Sequence, residues 1–416
     1  MALIETEEKI TRALLVTVDT GKFDAESSLD ELWELVKSAG AEPVLTVLQK
    51  LDRPETGTFV GTGKMEEIRE ICEAQEIDLI VCDAELTPTQ IRNFEKETDV
   101  RTIDRTTLIL DIFALRAKSK EGKLQVELAQ LKYLLPRLTG KGIAMSRLGG
   151  GIGTRGPGET KLETDRRHIH RKMENLKEQL ADLEKHRSRL RERREKDGVI
   201  TVAIVGYTNA GKSTLMNYLT DAGVLAQDKL FATLDPTSRA LKLPSGVTVM
   251  MIDTVGLVRR LPHGLVEAFK STLEEAAFSD IILNVCDVSS PEAQVHMQVT
   301  KDLLEELGCQ DSPIINVLNK CDKLNEPEVF FNIENSVKIS AKTGEGIDRL
   351  LQLVDDNLPV RIKKVKMLLP FSMAGAGNEL RTKATLVSED YTNDGIEIQA
   401  IVDEEMYRKF REYIVE

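Results

Sequence analysis

"TVAIVGYTNAGKST" (Thr201 to Thr214) is the stretch whose reading decides the fold. Its first half is apolar and β-branched; Gly206-x-x-x-x-Gly211-Lys212-Ser213 and a helical pattern follow. Strand, glycine loop and helix in that order are the setting a phosphate-binding loop requires. Glycine lets main-chain N–H groups converge on a phosphate, and the helix N-terminus adds its positive end. Gly206, Tyr207, Thr208, Asn209, Ala210, Gly211, Lys212, Ser213 and Thr214 form the expected cradle. Lys212 is expected to neutralise the β- and γ-phosphates, and the Ser213 hydroxyl to bind Mg²⁺.

Three downstream motifs choose the base. Asp253-Thr254-Val255-Gly256 follows the strand pattern "VTVMMID", so Asp253 is expected to reach Mg²⁺ through water and the Gly256 N–H to sense the γ-phosphate. Asn319-Lys320-Cys321-Asp322 follows "IINVL". A carboxylate there accepts from guanine N1 and its amino group together, a donor pair adenine lacks. Each charged hydrogen bond contributes roughly 1.5–3 kcal/mol. Ser340-Ala341-Lys342 completes the base pocket, with the Ala341 N–H expected at guanine O6. Order and spacing together point to GTP and GDP, with Mg²⁺.

"FATLDPTSR" (Phe231 to Arg239) lies between loop and Asp253. It contributes Phe231, Ala232, Thr233, Leu234 and Asp235 to the expected nucleotide site, with Thr233 as the threonine closing over Mg²⁺ and Thr237 as the fallback. Lys212, Thr233 and Gly256 are the expected catalytic set. Leu257 follows Gly256, where Ras-like enzymes place the glutamine that orients the attacking water. Leucine cannot do this, so intrinsic hydrolysis is expected to be slow, the missing group coming from a partner or a cation. Asn209 resembles the asparagine that binds K⁺ in potassium-stimulated GTPases.

The remaining composition sets bounds. A chain of 416 residues, 41% hydrophobic and 30% charged, is globular and holds several domains. No run approaches 18 uncharged apolar residues, and the acidic start has no signal pattern, so a cytosolic protein without a membrane span is expected. The five cysteines show no metal spacing and read as reduced thiols. His168 and His170 read as surface residues.

Four segments follow from the patterning, all within an α/β class. Residues 1–105 alternate strands ("ALLVTV", "PVLTVL", "IDLIVCD") with helices, one of them, "SSLDELWELVKSAG", with a serine cap; this predicts a small parallel sheet. "GTGK" at Gly61 reads as a turn. Residues 106–197 form a helical hairpin arm. Leu124, Leu128, Leu131 and Leu135 make one seam, ended by Pro136; Leu162, Ile169, Leu176, Leu183 and Leu190 make a heptad seam on a second helix opened by a Thr160-x-x-Glu163 capping box. Residues 198–361 are the P-loop domain. Residues 362–416 form a small α+β module, with a hairpin turning at Asn393-Asp394-Gly395.

Between the two arm helices lies "RLGGGIGTRGPGETKLETDRR" (Arg147 to Arg167), which matches Gly-x-Gly-x-x-Gly by accident, since it follows a helix and a proline. From Arg137 to Lys172 there are nine Lys/Arg against three Asp/Glu, in a chain of net charge −13. A basic, glycine-rich tip on an acidic body suits entry into RNA, with Arg147, Arg155, Lys161, Arg166 and Arg167 as expected contacts.

These residues resemble a known family, the HflX-type ribosome-associated GTPases. The resemblance rests on "GGIGTRGPGETKLETDRR", "GYTNAGKST", "FATLDPTSR" and "DTVGLVRRLPHGLVEAFKSTLEEA". It implies a monomer that binds the large ribosomal subunit and its rRNA. It further implies an arm directed toward the peptidyl-transferase region, separation of stalled or idle ribosomes into subunits in the GTP state, and ribosome-stimulated hydrolysis. Assistance in large-subunit assembly is the alternative. A small-molecule enzyme built on residues 1–105 is the weakest reading, because that stretch offers no assembled nucleophile or carboxylate pair.

Overall fold

The computed structural model describes residues 10–137, 157–220, 231, 237–254, 256–260, 275–309, 312–324, 333–359, 362–373, 380–381, 384–392 and 395–415. The chain divides into two compact bodies: residues up to Glu184, joined by Phe231 and Arg260, and the rest.

In the first body β1 (Arg12–Asp19), α1 (Ala25–Ser38), β2 (Glu42–Lys50), α2 (Thr62–Ala74), β3 (Leu79–Cys82), α3 (Pro88–Thr98) and β4 (Arg101–Asp104) alternate. The sheet is parallel, in the order β2-β1-β3-β4. The sequence reading anticipated β1 to β3; β4, four residues long, escaped it. Asp24, rather than a serine, caps α1, its carboxylate accepting from the Glu26 and Ser27 N–H groups. Thr62-Gly63-Lys64, expected in a turn, is the first turn of α2. Leu14, Val16, Ile68, Ile80 and Phe94 fill the core.

After α4 (Arg105–Arg116) come α5 (Lys120–Arg137) and α6 (Pro157–Lys196). Pro136 lies inside α5, one residue from its end: with no N–H to donate to the Lys132 carbonyl it cannot continue the ladder, and the helix ends one residue later. Helix α6 opens at Pro157, three residues before the expected cap, because proline suits a first helical position. Leu124, Leu128, Leu131 and Leu135 of α5 pack with Ile169, Met173, Leu176 and Leu180 of α6, and Lys172 pairs with Glu127 at 2.5 Å. The seam stops there: Leu190, although in heptad register, is exposed. The glycine-rich tip, with Arg147 and Arg155, lies outside the described residues.

The second body carries a six-stranded sheet in the order β10-β9-β8-β5-β7-β6, where only β6 is antiparallel. Its strands are β5 (Ile200–Gly206), β6 (Thr237–Lys242), β7 (Thr248–Asp253), β8 (Ile281–Asp287), β9 (Ile314–Asn319) and β10 (Ser336–Lys338). Helices α7 (Lys212–Thr220), α8 (Ala293–Glu306) and α9 (Ile347–Asp356) accompany them. All seven residues of β5 are buried, as a central parallel strand requires. β11 (Ile362–Leu369), β12 (Thr385–Thr392) and β13 (Gly395–Asp403) form an antiparallel sheet, followed by α10 (Glu404–Lys409). Thr392 pairs with Gly395, so the hairpin turns where Asn-Asp-Gly predicted. This module has its own core around Met367, Ile398 and Phe410, and lends Ile401 to the core of the larger sheet.

Candidate nucleotide site

The phosphate loop grows from the end of β5. Gly206 has φ +146°, and a Cβ there would lie 2.1 Å from the Val285 carbonyl oxygen; at Gly211, φ +95°, it would lie 2.2 Å from Asn319 Nδ2. Any side chain at either place would push the loop off its neighbours. Asn209 adopts φ +59° at an exposed position of the same loop. Lys212, at the start of α7, is buried and donates from Nζ to the carbonyls of Gly206 (3.0 Å) and Tyr207 (2.8 Å). Burial lowers its pKa to about 8, although Asp253 pulls the other way. This cation is held by main-chain dipoles, which leaves its charge to be matched by a phosphate.

Asp253 ends β7 fully buried, and the Ser213 hydroxyl donates to its Oδ2 at 2.9 Å. A hydroxyl and a carboxylate in contact at a helix start are the hard oxygen donors Mg²⁺ takes. Thr237 lies across the ladder from Asp253 with its Oγ1 buried and unpartnered. Thr233, Ala232, Leu234, Asp235 and Val255 lie outside the described residues. Phe231, expected to face the nucleotide, is instead buried in the first body, edge-on to Phe113 with centroids 4.6 Å apart. An apolar ring gains more from that contact than from solvent.

The segment after Asp253 is zipped onto the loop. Thr254 donates to Ile204 O from both N and Oγ1. The Leu257 N–H donates to Gly206 O, and the Thr208 N–H to Leu257 O at 2.7 Å. The Leu257 side chain is buried with Tyr207, Val299 and Leu303, turned away from any water-orienting role. A Cβ on Gly256 would lie 2.7 Å from Thr208 Cγ2 and 3.1 Å from Lys212 Nζ, so this glycine packs directly on the cradle. Arg259, inside a quoted stretch but given no role there, and His296 and Glu292, which no motif signalled, complete the support. His296 stacks on Tyr207 at 3.8 Å, the Arg259 N–H donates to Tyr207 Oη, and Glu292 pairs with the Arg259 guanidinium. Burial and Arg259 lower His296 to about 4, so it is neutral near pH 7.

The residues expected to select the base converge from two strand ends. The Ser340 hydroxyl donates to Asp322 Oδ1 at 2.6 Å, which holds that exposed carboxyl below its usual range. Lys320, at φ +67°, is pinned by an ion pair to Asp287 at 2.7 Å. Asn319 faces the protein: its Nδ2 donates to Ala210 O at 2.8 Å and its Oδ1 accepts from the Ala341 N–H at 2.9 Å. The Ala341 N–H expected at guanine O6 is thus engaged by Asn319, which fastens the phosphate loop to the base loop. Lys342 is exposed beside it.

Of the expected RNA contacts, Arg166 and Arg167 are exposed on α6, Arg167 pairing with Glu163 at 2.5 Å. Lys161 lies in the same helix, its side chain outside the described residues. His168 and His170 are exposed, and all five cysteines are free, four of them buried.

A glycine loop that runs from a buried strand into a helix, with a buried lysine and a Ser213–Asp253 contact beside it, makes the second body the catalytic domain of a P-loop GTPase. The comparisons with known proteins fix the family. Residues 201–320 match the family described as 50S ribosome-binding GTPase; residues 26–114 match GTP-binding GTPase N-terminal, and residues 116–194 its middle region. The chain is 50% identical over 408 residues to the GTPase HflX of Lacrimispora saccharolytica, covering 97% of this chain and 96% of that one. It is 49% identical over 405 residues to that of Caldanaerobacter subterraneus (97% and 94%), and 42% over 364 to that of Escherichia coli (86% and 85%). The chain belongs to the HflX family of GTPases. Among the described residues no helix is long and apolar enough to cross a membrane.

Proposed function

We propose that this GTPase binds the large ribosomal subunit and, in its GTP state, separates stalled or idle ribosomes into subunits, working as a monomer in the cytoplasm. The observation that supports this reading is the pairing of a P-loop GTPase domain with a basic helical arm on an otherwise acidic chain. Positive charge concentrated in one segment of the chain directs the molecule to RNA, and the acidic remainder limits indiscriminate binding.

The chemistry assigned to each residue follows from its place. Main-chain N–H groups of the Gly206–Gly211 loop and the start of α7 hold the β-phosphate, and Lys212 balances charge on the β- and γ-phosphates. Asp322 selects guanine. Ser213, Thr233 and, through water, Asp253 would hold Mg²⁺, which when bound neutralises charge between the β- and γ-phosphates. The Gly256 N–H reports the γ-phosphate to the chain segment beyond it. With Leu257 turned into an apolar cluster, the group that orients water is supplied from outside the chain. Hydrolysis is therefore slow alone and accelerated by the ribosome.

Sedimentation of intact ribosomes with saturating protein and a non-hydrolysable GTP analogue tests this. The expected result is conversion of the ribosome peak into subunits. Unchanged ribosomes with protein bound to free large subunits would favour the assembly role instead.

A further inference from the structure

The last turns of α6 are as basic as the arm's tip, and the nucleotide site uses none of them. Lys185 to Lys196 holds seven lysines and arginines against two glutamates. Beside it in the second body stands Phe278, 56% exposed, with the Arg191 guanidinium 3.6 Å from its ring centroid. Arg191 keeps Nε and one Nη buried without a hydrogen-bond partner, its ion-pair contact to Glu275 being 4.0 Å long. Arg194 approaches the other Glu275 oxygen at 3.7 Å. Both arginines and Phe278 line a cavity of about 180 Å³, and Phe278 also lines one of about 480 Å³ with Ser312, Asn357 and Leu358.

Two arginines fixed only to fasten a helix would spend their donors on the protein, and an aromatic ring there would be covered. Here two Arg191 donors are unspent, Arg194 gives one Nη only to the weak acceptor Met250 Sδ at 3.7 Å, and the ring is largely open. Guanidinium forks suit phosphate, and an exposed ring suits a base lifted from its stack. An acidic peptide would satisfy the arginines but has no use for the ring. Lys185, Arg189, Arg193 and Lys196 are also exposed, a track of charge that a free nucleotide would not need and a polynucleotide backbone would.

We propose that Arg191, Arg194 and Phe278 form a second RNA contact, at the base of the arm, taking one unstacked nucleotide of ribosomal RNA with its base on Phe278 and its phosphate on the two guanidinia. This rests on the ribosome-binding reading above. The test uses the full chain with a non-hydrolysable GTP analogue and purified large ribosomal subunits. A benzophenone amino acid in place of Phe278 is expected to crosslink to ribosomal RNA; a crosslink to ribosomal protein alone, or none in a bound complex, overturns the proposal. Phe278→Leu keeps an apolar side chain and removes the ring, so binding is expected to weaken by roughly tenfold, while Phe278→Trp retains it. Phe278→Leu binding as well as the unaltered chain removes this contact and leaves the ribosome-binding reading standing. Failure of the unaltered chain to bind removes both.

Discussion

Two buried polar centres in this molecule are built on opposite plans. In the first body Asp83, fully buried after β3, is matched on every side. It accepts from Ser28 Oγ (2.7 Å) and Thr17 Oγ1, and pairs with Arg105 (2.7 Å) and Arg260 (2.5 Å); Arg105 also pairs with Glu31. In the second body Lys212 is also buried, but the described residues bring no carboxylate into ion-pair contact with it. A centre whose charges are internally paired stabilises the fold. A centre whose charge is held by dipoles stabilises whatever anion arrives.

The contrast is broken most directly by removing each charge. Lys212→Met should lower nucleotide affinity by roughly a hundredfold or more, since charge-assisted bonds to phosphate are lost. Its unfolding midpoint should hold or rise, because a buried cation disfavoured by its surroundings is gone. Asp83→Ala should do the reverse to stability, with about 3–5 kcal/mol lost from the first body as Arg260 loses the carboxylate it pairs with and Arg105 loses one of its partners. Calorimetric binding and denaturant unfolding on both variants decide the matter; equal destabilisation would sink the distinction. Next in size is Asp322→Asn. It exchanges an acceptor pair for a mixed amide, so GTP affinity should fall by roughly ten- to a hundredfold. Xanthosine triphosphate, which presents an oxygen in place of the amino group, should gain. A variant binding both nucleotides as the unaltered chain does would remove Asp322 from the base site.

A smaller effect is read in pH. In the unfolded chain Lys212 has its ordinary value of 10.5, and in the folded protein burial brings it down to about 8. Between these values the unfolded chain binds more protons, so this residue's penalty on folding is full below pH 8 and gone above 10.5. A triphosphate favours the ammonium, so binding takes up a proton above about pH 8. Affinity should then fall roughly tenfold from pH 7 to 9, in a titration that Lys212→Met flattens. A flat profile in the unaltered chain would contradict the depressed lysine.

What was legible in the sequence was local. The cradle is one strand, one loop and one helix within the consecutive positions Ile200 to Thr220, and the arm seam repeats at helical spacing, so periodicity and glycine placement suffice. The partnerships that rigidify the site are not local. Asn319 joins Ala210 and Ala341, 109 and 22 residues away. The stack of His296 on Tyr207 likewise depends on α8 being laid against β5, which no motif records. Boundaries failed where two signals competed. Asp24 outranked the serines as cap of α1, and Pro157 opened α6 ahead of Thr160.

Leu257 supplies the finest test of the comparison, because it asks whether the second centre is completed by a cation as well as by phosphate. Its side chain is buried, and its main chain is committed to Gly206 and Thr208, so it leaves the charge developing at the γ-phosphate unattended. Asn209 presents an amide from an exposed, left-handed position of the cradle. If it helps seat a monovalent cation, hydrolysis should run several-fold faster in KCl than in NaCl at equal ionic strength, and Asn209→Ala should abolish the difference while GDP affinity changes little. Equal rates in the two salts would leave the ribosome as the sole source of the missing group, and would place the whole acceleration in the bound complex.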